Sequence, residues 1–386
     1  MSKRKVCVVI TARPSYARVK TALQAIKDHP ELELQLVVTG SALLDKYGNT
    51  VKIIEEDGFK VDERVFAVLD GTSPTTMAKT TGLALMELAT AFHNLKPDIV
   101  LTIGDRYETI ANAISASYMN IPLAHIMGGE ITGNIDEKVR HSITKLADIH
   151  LVSSEKAQER VIRMGEDKEY VYNTGCPSID LAAGILNNPL LDYDPFIKYN
   201  GVGPVLDITD GYIVVMQHPV TNEHEEAKKQ ITITLEAINE LKIPTMWFWP
   251  NVDAGGDGTS SGIRAFREKY NPEHIHFFKN MDPIDFYRLL YNSKCLVGNS
   301  SVGIRECAYL GVPVVDIGTR QIGRDRGKNV IDVPHDKEAI INAVKTHLNN
   351  GNYGQDLVYG EANAGEKIAN ILAVAPLRSH KKLNYE

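Results

Sequence analysis

A chain of 386 residues with 43% hydrophobic and 24% charged residues exceeds what one hydrophobic core usually organises, and it reads as two ordinary globular domains. Its formal net charge of −7, with Lys and Arg scattered rather than clustered, leaves no basic footprint and speaks against a nucleic-acid partner. The opening "MSKRKVCVVITARPSY" has too short an apolar run before Arg13 and Pro14 for a signal-peptide core or a membrane span, so a cytoplasmic protein without a membrane partner is expected.

In chain order, "KVCVVI", "LELQLVVTG", "PDIVLTIGD", "IPLAHI" and "IHLVSS" read as strands buried on both faces. Helix-period segments at 15–28, 41–57, 75–96, 107–119, 137–147 and 154–164 fall between them. That alternation predicts a parallel sheet wrapped by helices. Turn residues crowd 177–210, and the domain junction is placed at the start of this stretch. The pattern then repeats, with "GYIVVMQ", "PTMWFWP", "HIHFFK", "KCLVGN" and "VPVVDIG" as strands and 222–241, 261–270, 283–292, 302–310 and 336–349 as helices. The expectation is an α/β protein of two doubly wound parallel-sheet domains, 1–177 and 178–365, with a cleft at the carboxyl ends of both sheets. The tail 366–386 contains a helix-like segment that could return to the first domain. Cys7, Cys176, Cys295 and Cys307 lack any CxxC spacing and read as buried free thiols.

The strand ends carry the chemistry. Arg13 follows the first strand; Asp105, Arg106 and Glu108 follow "DIVLTIG"; Glu130 and Asp136 follow "IPLAHI". Asp136 suits either catalysis or the start of a helix from Glu137, with Arg140 as its i,i+4 partner. His218 stands at the end of "VVMQH" before a proline. In "VGNSSVGIREC", Ser300 and Ser301 open a helix pattern between Gly298 and Gly303, which fits either an ordinary N-cap or a phosphate-binding turn, with Glu306 placed for ribose hydroxyls. "PNVDAGGDG" brings Asn251 and Asp253, and "GTRQIGR" brings Arg320. GxGxxG, GxxxxGK[ST], EF-hand and HExxH patterns are absent, so no metal or nicotinamide cofactor is expected. An anion-binding turn in one half and carboxylates with arginines in the other point to a nucleotide-sugar.

The blocks "GDR", "HI-GGE-TG-ID", "RHSITKLADIHLVSS", "QHPVT", "PNVDAG", "GNSSVGIRE" and "GTRQIGR", in fixed order from about residue 5 to 330, resemble the hydrolysing UDP-N-acetylglucosamine 2-epimerases. The resemblance implies the GT-B arrangement of two Rossmann-like domains, a UDP-sugar substrate, no cofactor, and a homodimer or homotetramer. It implies elimination of UDP to a 2-acetamidoglucal and hydration to N-acetylmannosamine, for sialic-acid-type sugars. Asp105, Asp136 and His218 would serve catalysis, and Glu130 is the added candidate. Arg13, Arg106, Arg140, His218, Asn251, Asp253, Lys279, Ser300, Ser301, Glu306 and Arg320 would hold substrate.

One position departs from the family pattern: many relatives carry "HIEGGE", whereas here Met127 stands for the first Glu, and a thioether carries no proton. Glu130 could assume that role, or the sugar could be UDP-N,N'-diacetylbacillosamine, used on the way to legionaminic acid. Segment 41–57 lacks the Gln and His residues with which non-hydrolysing relatives hold a second UDP-sugar, which favours release of free sugar. From other classes, a GT-B glycosyltransferase or an inactive nucleotide-sugar sensor would share the same architecture.

Overall fold

The computed structural model describes residues 3–384 apart from 46–47, 70–72, 105, 132–134, 251–255 and 379. Within it the chain forms two compact units: the described residues up to 131, those of 135–180 and those from 359 onward make the first, and those of 181–358 the second.

The first unit is built on a sheet of β1 (Arg4–Ile10), β2 (Leu32–Thr39), β3 (Glu63–Val65), β4 (Ile99–Ile103), β5 (Leu123–Ile126), β6 (Ile149–Val152) and β7 (Val171–Asn173). They lie in the order β3-β2-β1-β4-β5-β6-β7, all parallel. The β-branched runs of β1, β2 and β4 are buried because helices cover the sheet, and Cys7, Val9, Val37 and Val100 pack with Leu88 and Phe92 of the helix Pro74–Leu95. Each such side chain contributes about 1.5–3 kcal/mol by leaving water. That helix begins where the Ser73 hydroxyl accepts the Thr76 N–H (3.1 Å) and ends at Lys96 in the left-handed region.

The second unit repeats the plan with β8 (Gly201–Val202), β9 (Ile213–Met216), β10 (Thr245–Phe248), β11 (Ile275–Phe278), β12 (Cys295–Gly298), β13 (Val314–Ile317) and β14 (Val330–Val333). The order is β14-β13-β12-β9-β10-β11-β8, parallel except for the antiparallel edge strand β8. Ile213, Val215, Trp247 and Val297 meet Leu235 and Ile238 of the helix Ala227–Leu241 and Ile340 and Val344 of the helix Lys337–Asn350. All four cysteines are buried, and none is in a disulfide. Among the described residues no helix is long and apolar enough to cross a membrane.

The differences from the sequence expectations lie in short elements. Segment 41–57 is a 3-10 turn (Gly40–Leu43) and a separate helix (Thr50–Glu56), because Gly48 intervenes at φ +88°. Strands β3, β7, β8 and β14, of two to four residues, are too brief to show a period. The stretch 177–210 is not all turn: the helices Pro177–Gly184 and Pro195–Lys198 interrupt it.

The tail is fastened to the first unit. The helix Ala364–Val374 lies against the helix Arg13–Asp28 so closely that a methyl on Gly365 would fall 2.7 Å from the Thr21 carbonyl carbon. Its opening N–H groups at Ala364 and Gly365 donate to the Asp180 carboxylate (3.0 and 2.7 Å), and Arg4 donates to the Leu372 and Ala375 carbonyls at its far end (2.6 and 3.1 Å). Further on, Arg378 stacks on the Tyr170 ring (3.6 Å), and Lys381 donates to Glu166 and to the carbonyls of Thr144, Lys145 and Ala147 that close the helix Ile135–Leu146.

Candidate functional site

In each sheet two neighbouring strands send their connections in opposite directions, and that switch point is where open α/β sheets bind ligands. In the first unit the switch lies between β1 and β4, and in the second between β9 and β12.

Arg13 follows β1 as the first residue of the helix Arg13–Asp28, with Pro14 in its first turn. Across the switch point, Gly104 ends β4 at φ +83°, and Arg106 donates from Nε to Glu108 (2.8 Å), whose carboxylate is buried. Asp105 lies outside the described residues. The buried His125 of β5 braces this turn: its Nε2 bonds the Gly104 carbonyl (3.2 Å) and therefore carries the proton. Burial depresses His125 to about 3.

After β5, Met127 is buried at φ +65°, an uncommon backbone for a residue with a side chain, and its N–H donates to the Leu151 carbonyl (3.0 Å). Gly129 follows at φ +75°, where a methyl would fall 2.4 Å from the Ala157 carbonyl oxygen. This tight path buries Glu130, which accepts from the Ser153 hydroxyl, while its carbonyl accepts from Arg140 Nη1 (2.8 Å). Glu130 and Arg140 are thus brought together. Asp136 sits inside the first turn of the helix Ile135–Leu146, not before it, where its charge suits the helix dipole.

In the second unit, Gly298 closes β12 at φ +139°, and a methyl there would stand 2.2 Å from the Met216 carbonyl oxygen of β9. Gly298→Ala is therefore expected to destabilise the fold by roughly 3 kcal/mol, through strained backbone and a clash no side chain can relieve, as urea denaturation would measure. Ser300 caps the helix Ser301–Ile304 by accepting the Val302 N–H (3.4 Å). The expected helix 302–310 is broken at Arg305 (φ −101°, ψ −71°), so its dipole contribution shrinks to one turn. Hydroxyls supply the rest: Ser301 Oγ accepts from the buried Arg305 (2.8 Å), which leaves its own proton to donate outward. Glu306 is buried; its Oε2 has no hydrogen-bond partner among the described residues, with Arg305 Nε 4.0 Å away. An orphaned carboxylate oxygen of this kind is a vacancy for hydroxyl donors.

His218 follows β9, and its main chain is bonded to Asn299. Burial, reinforced by the Arg320 charge, depresses its imidazole to about 3, so it is neutral near pH 7. Arg320 Nη1 donates to the Asn299 carbonyl (3.0 Å), which brings Arg320, the serine turn and His218 to one place. Lys279 is exposed just beyond β11, two strands from β9; Asn251 and Asp253 lie outside the described residues. Among the described residues no cluster of His, Cys, Asp and Glu could hold a metal.

Folded His125 and His218 refuse protons that their unfolded forms accept below about pH 6.5, so acid favours unfolding. Buried Asp316, raised to about 7, acts with the opposite sign, while His150, also lowered by burial, adds to the effect of acid. Stability is expected to fall on the order of 1–2 kcal/mol from pH 7 to pH 5, visible as a lower Tm. A Tm that stays level or rises over this range would contradict the two neutral imidazoles.

Sequence reasoning passed over Asn299 and Arg305, although both stand inside the quoted "GNSSVGIREC" stretch. Asn299 bonds main chain 81 residues away, which no spacing rule records, whereas the Arg305–Ser301 bond has the i,i+4 spacing that could have found it.

A family model described as UDP-N-acetylglucosamine 2-epimerase matches residues 24–373. The chain belongs to the UDP-N-acetylglucosamine 2-epimerase family. Among similar family members, the "UDP-N,N'-diacetylbacillosamine 2-epimerase (hydrolyzing)" of Legionella pneumophila is 33% identical over 376 residues, covering 97% of each chain. The "Polysialic acid biosynthesis protein P7" of Escherichia coli is 35% identical over 347 residues, 88% of this chain and 85% of that one. The fold is that of the Neisseria meningitidis UDP-GlcNAc 2-epimerase solved with UDP-GlcNAc, with a TM-score of 0.77, 18% identity, and coverage of 95% and 99% of the two chains. The two parallel sheets are thus those of this epimerase family's GT-B-like fold.

Proposed function

We propose that this chain is a hydrolysing UDP-sugar 2-epimerase that converts UDP-N-acetylglucosamine and water into N-acetylmannosamine and UDP. The observation carrying this reading is the meeting of His218, the serine turn and Arg320 at the switch point of the second sheet, followed in the chain by the buried Glu306 oxygen that has no partner among the described residues. Donors and a neutral imidazole suit a diphosphate, and a buried carboxylate suits ribose hydroxyls.

In this reading a carboxylate removes the proton at C2 while the C1–O bond breaks and its electrons leave with UDP. Water then adds its hydroxyl to C1 of the 2-acetamidoglucal, and C2 takes a proton from the opposite face. Asp105, Asp136 and Glu130 are assigned to the proton transfers, and the residues Arg13, Arg106, Arg140, Asn251, Asp253 and Lys279 to substrate. We also read the enzyme as a cytoplasmic homo-oligomer with its nucleotide held by residues 178–365.

A second reading, UDP-N,N'-diacetylbacillosamine as substrate, is favoured by the apolar Met127 and by the name of the Legionella relative. Proton NMR in deuterium oxide separates the two when each UDP-sugar is supplied in its own tube. Free N-acetylmannosamine deuterated at C2, with UDP, supports the first reading. Turnover of the bacillosamine derivative alone selects the second, and turnover of neither rejects both.

A further inference from the structure

Strands β9 and β12 pair in parallel up to Met216 and Gly298, and beyond that rung their chains part at the switch point. Main-chain pairing cannot continue there, yet the polar groups just past it are buried, as His218 and Asn299 show. The Asn299 side chain takes over the ladder. Its Oδ1 accepts the His218 N–H (2.7 Å), and its Nδ2 donates to the His218 carbonyl (2.9 Å). The backbone of the same residue reaches both ways: its N–H donates to the Met216 carbonyl (3.1 Å), and its carbonyl accepts from Arg320 Nη1 (3.0 Å) and Gln321 Nε2 (2.8 Å).

Asn299 is 1% exposed and makes five bonds that join the end of β9, the start of the serine turn and the loop after β13. Only an amide meets both main-chain groups of His218, because a carboxylate cannot donate and a hydroxyl is too short to span both. Such a fixed carrier of neighbouring groups is what preorganised sites require. We propose that Asn299 is a positioning residue that holds His218 and Arg320 in register with the serine turn for a diphosphate. This rests on the functional reading above, and it adds a residue whose five bonds are to protein groups.

The outermost support is also visible. Arg326 donates to the Gln321 carbonyl (2.6 Å) and pairs with Asp316 and Asp332 (3.1 and 2.9 Å), which anchors the loop bearing Arg320 to β13 and β14. Asn299 is the point at which that loop joins the strand ends.

The test compares wild type with Asn299→Asp and with the milder Gln321→Ala. Calorimetry measures UDP and UMP affinity, and NMR follows the His218 imidazole titration without ligand. In Asn299→Asp the carboxylate faces the His218 carbonyl, so UDP affinity should fall about 10-fold or more. UMP, with one phosphate fewer to position, should lose less, and His218 should titrate at a visibly different pH. Gln321→Ala should shift UDP affinity in the same direction by a few-fold, and it decides the matter if the Asp variant does not fold. Unchanged UDP-to-UMP preference and an unchanged His218 titration would overturn the proposal. A wild-type protein that ignores UDP would instead reject the functional reading, while the ligand-free titration still shows whether Asn299 holds the imidazole.

Discussion

Glu306→Gln is expected to separate binding from stability: UDP affinity drops while the unliganded protein melts at the same temperature or higher. The carboxylate is buried with one oxygen unbonded among the described residues, so the folded protein holds a desolvated charge incompletely compensated by Arg305 at 4.0 Å. An amide of the same shape removes that charge. It also removes the charge-assisted acceptor offered to ribose hydroxyls, and hydrogen bonds to charged groups contribute about 1.5–3 kcal/mol, so affinity should fall about 10- to 100-fold. Calorimetric titration with UDP and a thermal melt of the same samples read both effects. If the melting temperature fell sharply and affinity held, Glu306 would be a structural partner of Arg305 and not a ligand group.

The largest loss of stability is expected from Glu166→Ala. Its carboxylate is fully buried and accepts from Lys145 (2.5 Å), His150 (3.0 Å) and Lys381 (2.6 Å). Burial pushes this carboxyl up, but the three donors outweigh it and hold it at about 2. Removing the anion leaves Lys381 without its counter-charge and the neutral His150 imidazole without its acceptor, for which about 3–5 kcal/mol is typical. Denaturant midpoints should therefore drop strongly, and the C-terminal tail should become cleavable by protease at low enzyme concentration. Lys381→Met, which removes a cation instead, should loosen the tail with a smaller loss, since Lys145 and His150 remain on the carboxylate.

The architecture was legible because buried parallel strands write themselves as unbroken apolar runs: "KVCVVI" and "GYIVVMQ" could hardly be anything else. Their carboxyl ends then pointed to Arg13, Arg106, Glu130 and His218 as residues worth naming. What stayed illegible depends on contacts distant in sequence. At Arg305, whose buried guanidinium bonds Ser301, the helix breaks while the helical period of the sequence continues unmarked. The bracket formed by Asn299 requires knowing that residues 81 apart end on adjacent strands. Glu166 reads as an ordinary loop acid until the tail brings Lys381 to it.

That the first unit takes its last helix and tail from residues 359–386 has a consequence for manufacture of the protein. The second unit is nearly contiguous, so a ribosome can deliver it whole while the first still lacks the segment that covers the helix Arg13–Asp28 and neutralises Glu166. The half that is made first is thus the half that is finished last, which reverses the usual order of co-translational folding. Chains truncated before Tyr359 and released should show a protease-resistant second unit beside a still-cleavable first one.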